Sequence, residues 1–232
     1  MHQHYVCGCN VQRLGQYAKW PGLSPRITWN VDLSGYRGNL TPAQIIGAFQ
    51  LAWRWWAEAV EITPVMVSTA GEAMVRIHFA RIDGQSGILA WSELADNTDQ
   101  PKTQRYDSGD SWIITMAVMV GGIDLARVAA HEIGHVLGME HDSDSDALLA
   151  PFIQDDVPKP TPRDIQRLLA LGYKKRTTSL PDPDPDPELP PAEYTIRFKR
   201  QLAAGDYPDF VLGSKREVGD YLMTRVHPLP PQ

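Results

Sequence analysis

Only two cysteines, Cys7 and Cys9, occur in the 232 residues, so no disulfide framework holds this chain together. It has no apolar run of membrane-spanning length, which excludes a helical membrane span. It has no excess of basic residues either. The formal net charge is −6, and phosphate backbones are bound by clustered Lys and Arg, so nucleic acid is not expected as a partner. The first residues, Met1-His2-Gln3-His4-Tyr5, lack the basic and apolar regions of a secretory signal. That predicts export by another route or after processing, or work where the chain is made. Apolar residues are not lacking: 43% hydrophobic content and seven Trp predict a packed core, with length for one sizeable domain and something small beside it.

The chemistry is concentrated in His131-Glu132-Ile133-Gly134-His135-Val136-Leu137-Gly138-Met139-Glu140-His141, an H-E-x-x-H-x-x-G-x-x-H pattern. On a helix, residues i and i+4 share a face, so His131 and His135 can hold one ion. Glu132, beside the first ligand, can reach a water at the metal and serve as general base. Gly138 ends the helix, because glycine turns sharply there without a Cβ penalty, and the turn brings back His141 as third ligand. Three protein ligands with a fourth position open distinguish a catalytic zinc from a closed structural one. A bare H-E-x-x-H arises by chance, and two helical histidines are often mere surface residues. The third histidine and the glycine at the required spacing are what make the pattern specific.

Around this stretch the chain reads as a mixed α/β domain. Strands are expected at Arg26–Val31, Pro64–Val67, Val75–Phe79, Gly87–Trp91 and Trp112–Ile114. A first helix opens at Thr41 (N-cap), Pro42 and Gln44 (capping box), and runs to about Ala59 with Ile45, Phe49, Ala52, Trp53 and Trp56 on its core face. The metal-motif helix is expected from about Asp124 to Leu137. A last helix starts near Thr161 and turns Ile165, Leu168, Leu169 and Leu171 to the core. His78 alternates with apolar neighbours and reads as a solvent-facing strand histidine. The expected organisation is an N-terminal segment over 1–25, a catalytic domain over 26–175, a Pro/Asp-rich linker over 176–192 and a small β-rich module over 193–232. Alternating Pro and acid gives an extended spacer. Some forty residues beyond it are marginal for independent folding, so the module is expected to pack on the catalytic domain or a partner.

The eleven-residue motif is that of the metzincin zinc peptidases, and its surroundings resemble the matrixin (matrix metalloproteinase) branch. The likeness covers about Arg26 to Tyr173. It is carried by Ala48-Phe49 and Trp53, by Ala73–Phe79, by Asp83–Ala90, by Arg105–Trp112, and by Arg127–Ala130 running into the zinc motif. It implies an α+β fold with a twisted, mostly parallel sheet, an active-site helix and a C-terminal helix. It also implies hydrolysis of protein or peptide substrates, and a secreted or extracellular location. The substrate would lie extended and antiparallel to the edge strand at Ile88-Leu89-Ala90. Pro151, Phe152 and Ile153, with Leu89 and Ala90, would line an apolar pocket taking the P1′ side chain.

The resemblance also implies calcium ligands at Asp83, Asp107 and Asp110, with carbonyls from Gly84 and Gly87, though loop acids are also commonly just solvated. Where the family's structural zinc takes histidines, this chain has Trp91 and Arg105, so that second zinc is expected to be absent. Leu149 stands in place of the methionine that metzincins set beneath the metal, a swap of similar volume. Cys7-Gly8 matches the dipeptide by which matrixin propeptides stay latent, and implies a short propeptide whose thiolate fills the open zinc position. The other reading of Cys7 is a flexible tail with two thiols. Two alternatives to a matrixin peptidase stay open at this point: a non-catalytic zinc-binding or adhesion module, and a metzincin nearer the astacin or snapalysin-like branches.

Overall fold

The structure, a computed structural model, describes residues 6–8, 19–22, 24–85, 87–114, 122–152 and 157–180, together with two short strands near the C-terminus. The chain divides into two compact units, Met1–Leu180 and Pro181–Gln232.

Among the described residues, the first unit holds a six-stranded sheet and three helices. Its strands are β1 (Val6–Cys7), β2 (Arg26–Asp32), β3 (Thr63–Met66), β4 (Val75–Ala80), β5 (Ile88–Ser92) and β6 (Lys102–Asp107). They lie in the order β1-β5-β6-β4-β2-β3, and every neighbouring pair is parallel except the antiparallel β5 and β6. Helix α1 (Pro42–Ala59) begins as its sequence predicts: Thr41 caps Gln44, Gln44 reaches back to Thr41, and Pro42 fills the first turn. Its aromatic stripe, Phe49, Trp53 and Trp56, is buried. Strands β7 (Trp112–Ile113) and β8 (Ile123–Asp124) pair in parallel and lead into α2 (Leu125–Val136), which Asp124 caps by accepting from the Arg127 amide. Every residue of α2 is buried, so this helix runs through the core between α1 and β5. Helix α3 (Pro162–Ala170) opens on a Thr161–Asp164 capping box. It buries Leu168 fully, while Ile165, Leu169 and Leu171 are only partly covered.

Two features depart from the sequence reading. Strand β6 lies next to the centre of the sheet but has no apolar alternation, because Lys102, Gln104 and Tyr106 form its buried face. Lys102 is accommodated by its ion pair with Asp96 at 2.8 Å, while Gln104 Oε1 accepts from the Tyr106 hydroxyl and its amide nitrogen is buried without a partner. Trp20, in a stretch without periodicity, is fully buried. Its indole donates to the Val136 carbonyl at 2.9 Å, and its amide donates to the Tyr173 hydroxyl, which in turn donates to the Leu137 carbonyl. The N-terminal stretch is thereby tied to the C-terminal end of the motif helix. Trp20→Ala removes a full indole from this core and should lower unfolding free energy by about 3–5 kcal/mol. Urea denaturation followed by circular dichroism checks this; a loss below about 1 kcal/mol would place Trp20 outside the core.

In the second unit, β9 (Phe210–Leu212) pairs antiparallel with β10 (Val226–Pro228). This pair is what the described residues show of the β-rich module expected over 193–232.

Candidate metal centre

Helix α2 sets His131 and His135 one turn apart and ends in a Schellman turn. The Gly138 amide donates to the His135 carbonyl and the Met139 amide to the Gly134 carbonyl, with Gly138 at φ +98°. This turn places the Met139 carbonyl 2.7 Å from His135 Nδ1. The Leu148 carbonyl stands 2.7 Å from His131 Nδ1. A carbonyl only accepts, so each Nδ1 carries the proton and each Nε2 keeps its lone pair. The two Nε2 atoms are 3.0 Å apart, and the His141 ring lies 4.8 Å from that of His135 and 5.4 Å from that of His131. Burial, then the neighbouring His141, pushes the pKa of His131 down to about 3. Burial is also the first cause lowering His135 and His141, so all three imidazoles are neutral, the form in which a histidine can bind a metal.

Cys7 completes the group. Its Sγ is 3.5 Å from His135 Nε2, and ligand atoms of Cys7, His131, His135 and His141 all lie within 4.8 Å of one another. Among the described residues this is the one such cluster of metal-ligating side chains. His141 Nε2 is buried without a hydrogen-bond partner. A buried ring nitrogen without a partner costs free energy unless something binds it, and a set of three imidazoles and one thiol suits Zn²⁺.

The loop that carries His141 is held from α3. The Asp142 carboxylate accepts from Arg163 Nε at 2.7 Å and Arg163 Nη2 at 2.9 Å, and forms an ion pair with Arg167 Nη1 at 3.2 Å. The Arg163 hydrogen bond is the chief reason the Asp142 pKa falls to about 2. Arg167 also donates to the carbonyls of Glu140 and His141. Asp164, fully buried, accepts from the amides of Leu148 and Leu149 and from Thr161. None of these was legible as functional in the sequence. The available signal was two arginines four apart on one helix, facing an acid beside the third histidine.

The sequence model of the matrixin family matches residues 19–171. The chain belongs to the matrixin family. Its relatives include human matrix metalloproteinase-20, 29% identical over 153 residues, which are 62% of this chain and 30% of that protein. Karilysin of Tannerella forsythia is 30% identical over 147 residues, 59% of this chain and 29% of karilysin. Rat stromelysin-3 is 37% identical over 114 residues, 44% of this chain and 21% of stromelysin-3. The chain thus spans less than a third of the length of these curated relatives.

The remaining site positions of this matrixin fall as follows. Glu132 is buried beside the cluster, and its Oε2 accepts from the Ser92 hydroxyl at 2.7 Å. Leu149 is fully buried, and its carbonyl receives the Asp142 amide. Leu89 and Ala90 are buried on β5, Pro151 and Phe152 face it across β1, and Ile153 lies outside the described residues. Trp91 and Arg105 are cross-strand partners, with the guanidinium 5.5 Å from the indole centroid and Arg105 Nε donating to His78 Nε2. His78 is therefore engaged and half-buried, not simply turned to solvent, and burial lowers its pKa.

Of the expected calcium positions, Asp107 is fully buried. Its Oδ2 accepts from the amides of Ile82, Asp83 and Gly84, and its Oδ1 from Gly109. Burial opposes ionisation there, but the four amides outweigh it and hold the carboxyl below its usual range. Asp83 accepts from the Ile88 amide, and Gly87 and Asp110 lie on the flanking turns. Asp83, Asp107 and Asp110 do not form a metal-ligating group among the described residues.

Proposed function

We propose that this matrixin is a zinc-dependent endopeptidase, with His131, His135 and His141 as zinc ligands, Glu132 as general base and Cys7 as the ligand that keeps it latent. The observation that carries the reading is the convergence of three neutral imidazoles and one thiol within 4.8 Å. Zinc held there supplies a Lewis acid and a water acidified toward neutrality. The carbonyls of Leu148 and Met139 fix the two helical imidazoles in the ligating tautomer. Glu132 takes a proton from the attacking water and passes it to the leaving amine. The extended substrate borrows backbone groups of β5.

The cleft already binds extended chain. The Val6 amide donates to the Gly87 carbonyl at 3.0 Å, Gly8 to Ala90 at 2.8 Å, and Cys7 to Pro151 at 3.3 Å. Val6 and Cys7 run parallel to β5, whereas the substrate is expected antiparallel. Reversed polarity exchanges the carbonyl and amide sides of each peptide bond, so the segment fills the cleft without offering a bond to Glu132. Gly8 permits the close approach: a Cβ there would stand 2.5 Å from Ile88 Cγ2. Gly8→Ala should therefore raise basal cleavage several-fold over the parent, as read with a fluorogenic peptide; unchanged latency would mean that the segment does not block the cleft.

The site takes one zinc. A permanent cation, Arg105, stacks on Trp91 where the resemblance would put a histidine of a second zinc, and two cations repel at that spot. Calcium is a candidate further ion at Asp83, Asp107 and Asp110, although Asp107 already accepts from the amides of its own loop. Apolar P1′ side chains suit the Leu89–Phe152 cleft. The working place is outside the cell, as the family implies; no helix among the described residues is long and apolar enough to cross a membrane. The catalytic unit reaches back to Trp20, residues before it act as a short propeptide, and the β9–β10 module binds a partner. The test is cleavage of casein by the full chain freed of its N-terminal segment. Activity should vanish with chelator and return with zinc; indifference to both would sink the proposal.

A further inference from the structure

The geometry points to Ser92 as a positioning residue that orients Glu132 for proton transfer, an inference that rests on the peptidase reading above. Glu132 is 1% exposed and Ser92 6%, and the Ser92 hydroxyl donates to Glu132 Oε2 at 2.7 Å. A buried carboxylate needs hydrogen bonds to stay ionised, and a glutamate has three torsions to fix before either oxygen has a defined place. A short hydroxyl bond to one oxygen fixes those torsions, and with them the place of the carboxylate that takes the proton.

The donor is itself rigid. Ser92 closes β5, paired across the ladder with Gln104 of β6, and β5 packs on α2. Serine is a poor choice for a buried strand position on packing grounds alone, where an apolar or β-branched side chain fills space better. Its hydroxyl accounts for it. Ser92 also shares a strand face with Ala90, whose carbonyl receives the Gly8 amide in the cleft. One strand thus aligns both the extended chain and the base that acts on it.

The test uses the full chain carrying Cys7→Ala and loaded with zinc. Adding Ser92→Ala should lower kcat about 10- to 100-fold, the range for a hydrogen bond to a charged group, with KM within twofold. Zinc content should not change. Ser92→Thr, which keeps the hydroxyl, should recover most of the kcat. Crystal structures of the metal-free chains give a readout independent of turnover: one Glu132 carboxylate position in the parent, and more than one in the Ser92→Ala chain. An unchanged kcat in Ser92→Ala, a Ser92→Thr chain as slow as Ser92→Ala, or a single undisplaced carboxylate in the Ser92→Ala crystal would each overturn the role of Ser92. A Cys7→Ala parent that holds zinc and cleaves nothing overturns the peptidase reading instead, and the crystallographic comparison then still decides for Ser92.

Discussion

Glu132→Ala, in a zinc-loaded chain opened by Cys7→Ala, is expected to lose about 10³-fold or more in kcat while keeping its zinc. General-base catalysis contributes typically 10²- to 10⁴-fold, and in the proposed mechanism the same carboxylate serves both attack and departure. The metal should stay because Glu132 is not among the converging donors, which are Cys7 and the three histidines. Burial of the site sharpens the loss: with Glu132 only 1% exposed, bulk buffer has poor access to replace it. Zinc by atomic absorption and rate by a quenched peptide separate the two effects. A variant that loses metal and rate together would make Glu132 a structural residue, and one that keeps the rate would remove it from the mechanism.

Cys7→Ala alone should raise cleavage by the full chain about 100-fold. Zinc bound by four ligands in small domains is worth about 10–16 kcal/mol, hence about 3 kcal/mol for one ligand, and each 1.4 kcal/mol is tenfold. The backbone contacts of Val6 and Gly8 survive this change, so removing residues 1–10 altogether should raise the rate further. Parent and variant with equal rates would mean that the Cys7 thiol does not close the centre.

The metal motif could be read from sequence because its geometry is local. A helix repeat and one glycine turn fix where His131, His135 and His141 go. The α1 cap and stripe are local in the same way. Strand β6 carries no such local pattern, because its buried positions hold Lys102, which pairs with Asp96, and Gln104, whose Oε1 accepts from Tyr106. Trp20 escaped because one aromatic in an aperiodic stretch has no pattern to join, and its anchors at Val136 and Tyr173 are over a hundred residues away. Separation along the chain also hid the hold of Asp164 on the Leu148–Leu149 turn and the Ser92–Glu132 pair. Asp83 and Asp107 were recognisable as a pair of loop acids, but no residue pattern signals that backbone amides saturate Asp107.

The most direct test of the zinc centre is to titrate the metal-free Cys7→Ala chain with zinc while following cleavage of a quenched peptide. Activity should rise in proportion to zinc and break at about one equivalent per chain, the stoichiometry of a single three-histidine catalytic site. His135→Ala should stay at baseline throughout. Cleavage by the metal-free chain, or a His135→Ala chain that follows the same curve, would contradict a zinc peptidase built on these ligands.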